Sequence, residues 1–178
     1  MGDMTELPDE SKDYWISTIA SFAPEHLSTF RNSPNTTLDL IAHKDPRVRA
    51  AAIMAGHAMW HLHNEMRFVT QCCDVAVSDD LDEPRQAAIA VLHAAFENSK
   101  HSYVQQALGR IVRASQSSTF LRNCAYRAML AIDREKTTTE DILADGASHR
   151  EDVLTLMRGG VARLIEIDWG LVNRLGAE

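Results

Sequence analysis

The chain has 178 residues, of which 45% are apolar and 24% charged, with a formal net charge of -7. Length and composition predict one globular domain able to bury a core, and they exclude a disordered chain. The acidic balance argues against broad attraction to nucleic acid or anionic lipid, and no apolar run approaches the ~18 residues of a membrane span.

From the N-terminus, Met1 to Ser11 is acidic and polar, without the basic-then-apolar order of a signal peptide. Periodic stretches then place apolar residues every three or four positions and none alternates, so helices are predicted and strands are not. Helices are expected at about 9–22, 24–31, 34–43, 46–61, 64–78, 84–97, 101–115, 118–133, 139–145 and 149–174. Ser33-Pro34, Asp45-Pro46 and Asp82-Glu83-Pro84 each set an N-cap oxygen before a proline that tolerates the first helical turn. Ser148 and Glu151 fit a capping box, with Thr138 and Asp141 a weaker copy. Gly159-Gly160 is expected to break the last helix, since two glycines cost a helix interior roughly 2 kcal/mol against alanine. Cys72, Cys73 and Cys124 cannot build a disulfide framework and read as buried, reduced thiols of a cytoplasmic protein.

One segment recurs. Ala51 to Trp60 lies over Ala87 to Phe96 without a gap, at an offset of 36 (88 minus 52). Cys124 to Ile132 forms a third copy after 37 residues (125 minus 88). Three residues before the shared alanine stands Arg49, Arg85 or Arg122. On a helix, Ala52, Ile53, Gly56, Met59 and Trp60 fall within about 120°, the width of a core-facing stripe. The same holds for Ala88, Ile89, Leu92, Ala95 and Phe96, and for Ala125, Tyr126, Met129 and Ile132. Each stripe helix is expected to pair with the helix before it.

Asp45-Pro46-Arg47-Val48-Arg49-Ala50-Ala51-Ala52 resembles the opening of the second helix in HEAT repeats, Asp-Pro-x-Val-Arg. The second copy has Pro84 before its arginine and the third has Leu121, so the motif is diluted along the chain. The resemblance implies an all-α fold, an α–α superhelix of about four to five antiparallel hairpins. One domain, 1–178, is expected, with a repeat core at about 34–133, an N-terminal helical cap at 1–33 and a C-terminal cap at 136–178. It further implies that Asp45, Arg49, Arg85 and Arg122 are structural, tying successive repeats by hydrogen bonds. By projection alone, the arginines point partly inward and need helix C-terminal carbonyls or a nearby aspartate.

Histidines are the remaining candidates. His57, His61 and Glu65 recur at i, i+4 and i+8 and would line one face of an unbroken helix, half of a zinc site. A turn is expected near Asn64, so no metal is assigned. His57 and His93 share a register at the edge of the stripe, and with His61 they are the candidate binding residues of a concave face. The plain alternative is a tolerated polar flank. His101 and His149 stand near helix starts and are expected to be solvated, and Glu97, Asp133 and Asp168 have no acid/base mate in sequence. No nucleophile motif and no phosphate-cradling loop occurs, so no catalytic residue and no cofactor is assigned.

The expected function is a non-catalytic module that binds a protein or peptide on its concave face, by analogy of fold. The alternative is an enzyme or enzyme helper, since HEAT-like folds include a di-iron hydroxylase, chromophore lyases and a DNA glycosylase. The hydroxylase type pairs His with Glu in adjacent positions, and no His-Glu dipeptide occurs here. Nucleic acid and membrane are not expected partners. A homodimer could form through Leu154, Leu156, Val161, Leu164, Ile165, Trp169 and Leu171.

Overall fold

A computed structural model describes residues 9–133 and 166–176, and every regular element among them is a helix. Among the described residues no helix is long and apolar enough to cross a membrane. The chain divides into two compact units, Met1–Ala95 and Phe96–Glu178.

In the first unit, α1 (Asp9–Phe22) is followed by a 3-10 turn at Pro24–His26 that runs into the short α2 (Leu27–Phe30). Next come α3 (Pro34–Leu40), α4 (Pro46–Ala58), a 3-10 turn at Leu62–Asn64, α5 (Met66–Ser78) and α6 (Asp82–Phe96), whose last residue falls in the second unit. Local chemistry explains the starts. Pro34 and Pro46 open their helices, where a missing N–H costs nothing. Asp45 caps α4, its Oδ1 accepting from the Arg47 N–H at 2.9 Å. Ser33, expected to do the same for α3, makes no such bond. α6 begins two residues earlier than expected, at Asp82, because Pro84 fits within the first turn, where N–H groups lack intrahelical acceptors.

α1 and α3 both pack against α4. Trp15, Ile19, Phe30, Leu38, Val48, Ile53 and Phe68 are all at least 98% buried and form this core. α4 approaches α5 closely at Gly56: a Cβ there would stand 2.9 Å from Phe68 Cζ, with a second ring carbon nearer still.

In the second unit, α7 (Ser102–Arg113) packs against α8 (Thr119–Asp133), and α9 (Trp169–Leu175) lies against both. Val104, Leu108, Ile111, Leu121, Met129 and Ile132 fill the space between them. Asn98 and Lys100, both left-handed at φ 58° and 53°, aim their N–H groups at the Ala131 and Ile132 carbonyls, each at 2.9 Å. Carbonyls in the last turn of α8 thereby gain donors from the turn before α7. Several contacts seat α9. The Asp168 N–H donates to the Tyr126 hydroxyl at 3.0 Å, Arg113 Nη2 donates to the Gly176 carbonyl at 2.9 Å, and Gly109 meets Gly176 backbone to backbone.

Of the helix expected over 149–174, residues 166–168 are not helical, and Asp168 caps the helix that starts at Trp169, accepting from Gly170 and Leu171. The predicted helix at 139–145, the Ser148/Glu151 and Thr138/Asp141 caps and Gly159-Gly160 lie outside the described residues. So do Leu154, Leu156, Val161, Leu164 and Ile165, while Trp169 is 47% exposed.

Candidate functional site

The three alanines of the recurring segment, Ala52, Ala88 and Ala125, are fully buried on α4, α6 and α8. Each arginine one turn before them ends on main-chain oxygen. Arg49 Nη1 donates to the His43 and Lys44 carbonyls at 2.8 and 3.1 Å, in the turn after α3. Arg85 Nε donates to Ala76 in the last turn of α5 at 3.0 Å, and Arg122 Nε to Val112 in the last turn of α7 at 2.9 Å. Arg85 and Arg122 thus supply donors that the ends of the preceding helices lack, and Arg49 supplies them to the turn after α3. Arg49 also grips a carboxylate across the α5–α6 turn: Nε meets Asp79 Oδ2 at 2.7 Å and Nη2 meets Oδ1 at 2.8 Å, with the side chains 15% and 7% exposed.

Asp45 behaves differently from what the HEAT resemblance implies. Beyond capping α4, it forms a two-pronged pair with Arg47, at 3.0 and 2.6 Å, within its own turn. Hydrogen bonds from Arg47 hold its carboxyl down at about 2. The Arg47 guanidinium in turn lies 3.5 Å over the Phe22 ring.

A group of three histidines sits where α4 gives way to α5. His57 occupies the last turn of α4, and the helix closes with the Met59 N–H on the Ala55 carbonyl. His61 then adopts a left-handed backbone at φ 50°, reversing the chain into the 3-10 turn, where Leu62 is buried. His63 is thereby returned toward α4. Its Nδ1 stands 3.1 Å from His57 Nδ1, with ring centroids 4.8 Å apart and planes inclined at 57°. The His61 ring lies edge-on to that of His63 at 6.0 Å. Burial pushes His57 down to about 4, helped by the charges of His63 and His61. Burial also lowers His63, with His61 adding to the effect. Both rings of the close pair are therefore neutral at neutral pH, one donating and the other accepting.

The break expected near Asn64 is present. Glu65 is the exposed N-cap residue of α5, on a different element from His57, so the i, i+4, i+8 set does not share a face. Among the described residues no three His, Cys, Asp or Glu side chains stand together as metal ligands. His61 is exposed, whereas His93 is buried in α6 at 6% exposure, so His57 and His93 form no exposed ridge. His101, expected in solvent, instead packs its ring on Phe96 at 4.7 Å with Nδ1 buried. His149 lies outside the described residues.

Sequence reading missed His63, although six residues beyond His57 and across a predicted break is a spacing a reversal can close. It also missed Asp79, thirty residues from Arg49, and the capping role of Asp168. Burial raises Cys72 well above its ordinary range, Cys73 to about 12 and Cys124 to about 11, so all three are protonated and inert.

These features define an all-helical protein whose arginines close successive helix pairs. Comparison with protein-family models, with curated proteins and with solved structures finds no match to this chain.

Proposed function

We propose that the chain is a HEAT-like helical-repeat scaffold that binds a protein or peptide partner and carries out no chemistry of its own. The observation that supports this most is the arginine set: residues 36 and 37 positions apart each close a helix pair onto backbone oxygen. Such internal bracing fixes the positions of helices while leaving their outer side chains free to differ, as recognition surfaces require. Tyr14 on α1 (67% exposed) and Met66 at the start of α5 (58% exposed) supply apolar contact, and His61 a polar one. Protonated, buried thiols support a reducing, cytoplasmic setting.

The test is cross-linking of the full chain to its partner, followed by titration of the purified partner against wild type, Tyr14→Ser, Met66→Ser and His61→Ala. Saturable binding weakened at least tenfold by one of these variants is expected. Stoichiometric iron or zinc in the purified protein, or turnover of a small molecule without a partner, would replace this reading with the enzyme one. Light scattering separates either from self-association.

A further inference from the structure

We propose that the His57–His63 pair is a proton-operated latch that holds the α4–α5 junction closed when neutral and releases it in acid. An Nδ1···Nδ1 contact of 3.1 Å requires one ring to accept. With both rings neutral, one Nδ1–H donates to the other ring's lone pair. A first proton, placed on an outer Nε2, leaves that arrangement intact but puts charge in a largely buried site. A second proton turns the remaining acceptor into a donor, so two N–H groups confront each other and the contact cannot persist.

The surroundings make the pair decisive for the junction. His61 is held at φ 50°, a conformation an L-residue with a Cβ adopts at a cost. Beyond it the chain is held against α4 by the buried Leu62 and the His63–His57 bond, and further on by the buried Phe68 ring of α5 beside Gly56. Among the described residues no carboxylate compensates an added proton. Among the described residues, His63 and His61 exert the charge effects on His57, and His61 the one on His63. Glu65 is exposed at the start of α5, and Arg67 faces Asp39 at 3.5 Å. Asp13 on α1, Arg47 and Arg49 on α4, and Asp74 on α5 are not among the charges that act on either ring.

The sign follows from linkage. His57 is depressed in the folded chain from 6.5 to about 4, so the closed junction is fully favoured above pH 6.5 and loses ground as pH falls toward 4. By pH 4 the opening equilibrium grows on the order of 100-fold over its neutral value from this ring alone.

Amide hydrogen exchange of the full chain, corrected for the intrinsic pH dependence of exchange, reads this directly. Protection of residues 59–66 should drop on the order of 100-fold between pH 7 and pH 4 while α7 and α8 keep theirs. Imidazole 15N shifts should move the His57 and His63 rings over the same interval. In His57→Asn/His63→Asn, which has no proton to take up there, the junction should show no such acid loosening. Unchanged wild-type protection from pH 7 to 4, or loosening that persists in the double variant, would overturn the proposal. If the variant does not fold, the wild-type titration decides: protonation of both rings without junction opening refutes the latch.

Discussion

Removing the guanidinium of Arg49 is the most informative single perturbation of the fold. Arg49→Met keeps the aliphatic stem but deletes four donor contacts: two to Asp79 and two to the His43 and Lys44 carbonyls. The Asp79 side chain is only 7% exposed, and the variant leaves it one hydrogen bond from the Leu81 N–H at 3.0 Å. Breaking a buried, hydrogen-bonded ion pair from one side typically costs about 3–5 kcal/mol, most of it for the stranded charge. For a chain of this length that corresponds to a fall in Tm of roughly 10 °C. Arg49→Met/Asp79→Leu strands no charge, so it should lose less than the sum of the single variants, with coupling of about 2–3 kcal/mol. Urea unfolding of wild type, both single variants and the double variant measures each corner, and high salt should leave the coupling largely intact because solvent scarcely reaches the pair. A coupling below about 0.5 kcal/mol would place this pair with ordinary surface ion pairs and refute its bracing role.

Further expectations follow from other contacts. Gly56→Ala gains about 1 kcal/mol of helix propensity but forces the buried Phe68 ring to move, an overpacking of about 1–3 kcal/mol, so net destabilisation is expected. Adding Phe68→Leu should recover part of that loss in thermal melts if the ring is the obstacle. Asp168→Ala removes the cap of α9 and should cost about 1 kcal/mol, seen as faster amide exchange in Trp169–Leu175 with α8 unchanged. Under native conditions Cys72, Cys73 and Cys124 should react with a thiol reagent orders of magnitude more slowly than in denaturant. Rapid native modification would contradict their burial.

Legibility in the sequence followed the range of the interaction. Helix type and most boundaries could be read because proline, capping side chains and apolar periodicity act within one turn: Pro46 and Asp45 start α4 on their own. The stripe residues Ala52, Ile53, Ala88, Ile89, Leu92, Ala125 and Met129 are buried as the projection required. Met59 and Trp60, past the end of α4, and Ala95 and Phe96, at the end of α6, are only part-buried. What could not be read depends on the path of the chain between elements. Arg49 finds Asp79 only once α5 has been folded back, and His63 finds His57 only because His61 takes a left-handed turn. Asp168 looked isolated because its partners are backbone groups on its own helix, which residue type alone does not display.

The same distinction explains why the recurring segment survives so much variation around its arginine. The residue before it is Val48, Pro84 or Leu121, and the turns leading to it share little sequence. A side-chain acceptor would need its own residue retained at a fixed distance. A backbone carbonyl needs only that a helix end nearby, whatever residues compose its last turn. His43, Ala76 and Val112 have nothing in common as side chains, yet each offers the same oxygen to the same kind of donor. Arginine suits the role because its charge is permanent and its five donors can be shared among acceptors, as Arg49 does between two carbonyls and a carboxylate. The constraint on sequence therefore reduces to an arginine one turn before a buried small residue. The intervening turns are left free to diverge.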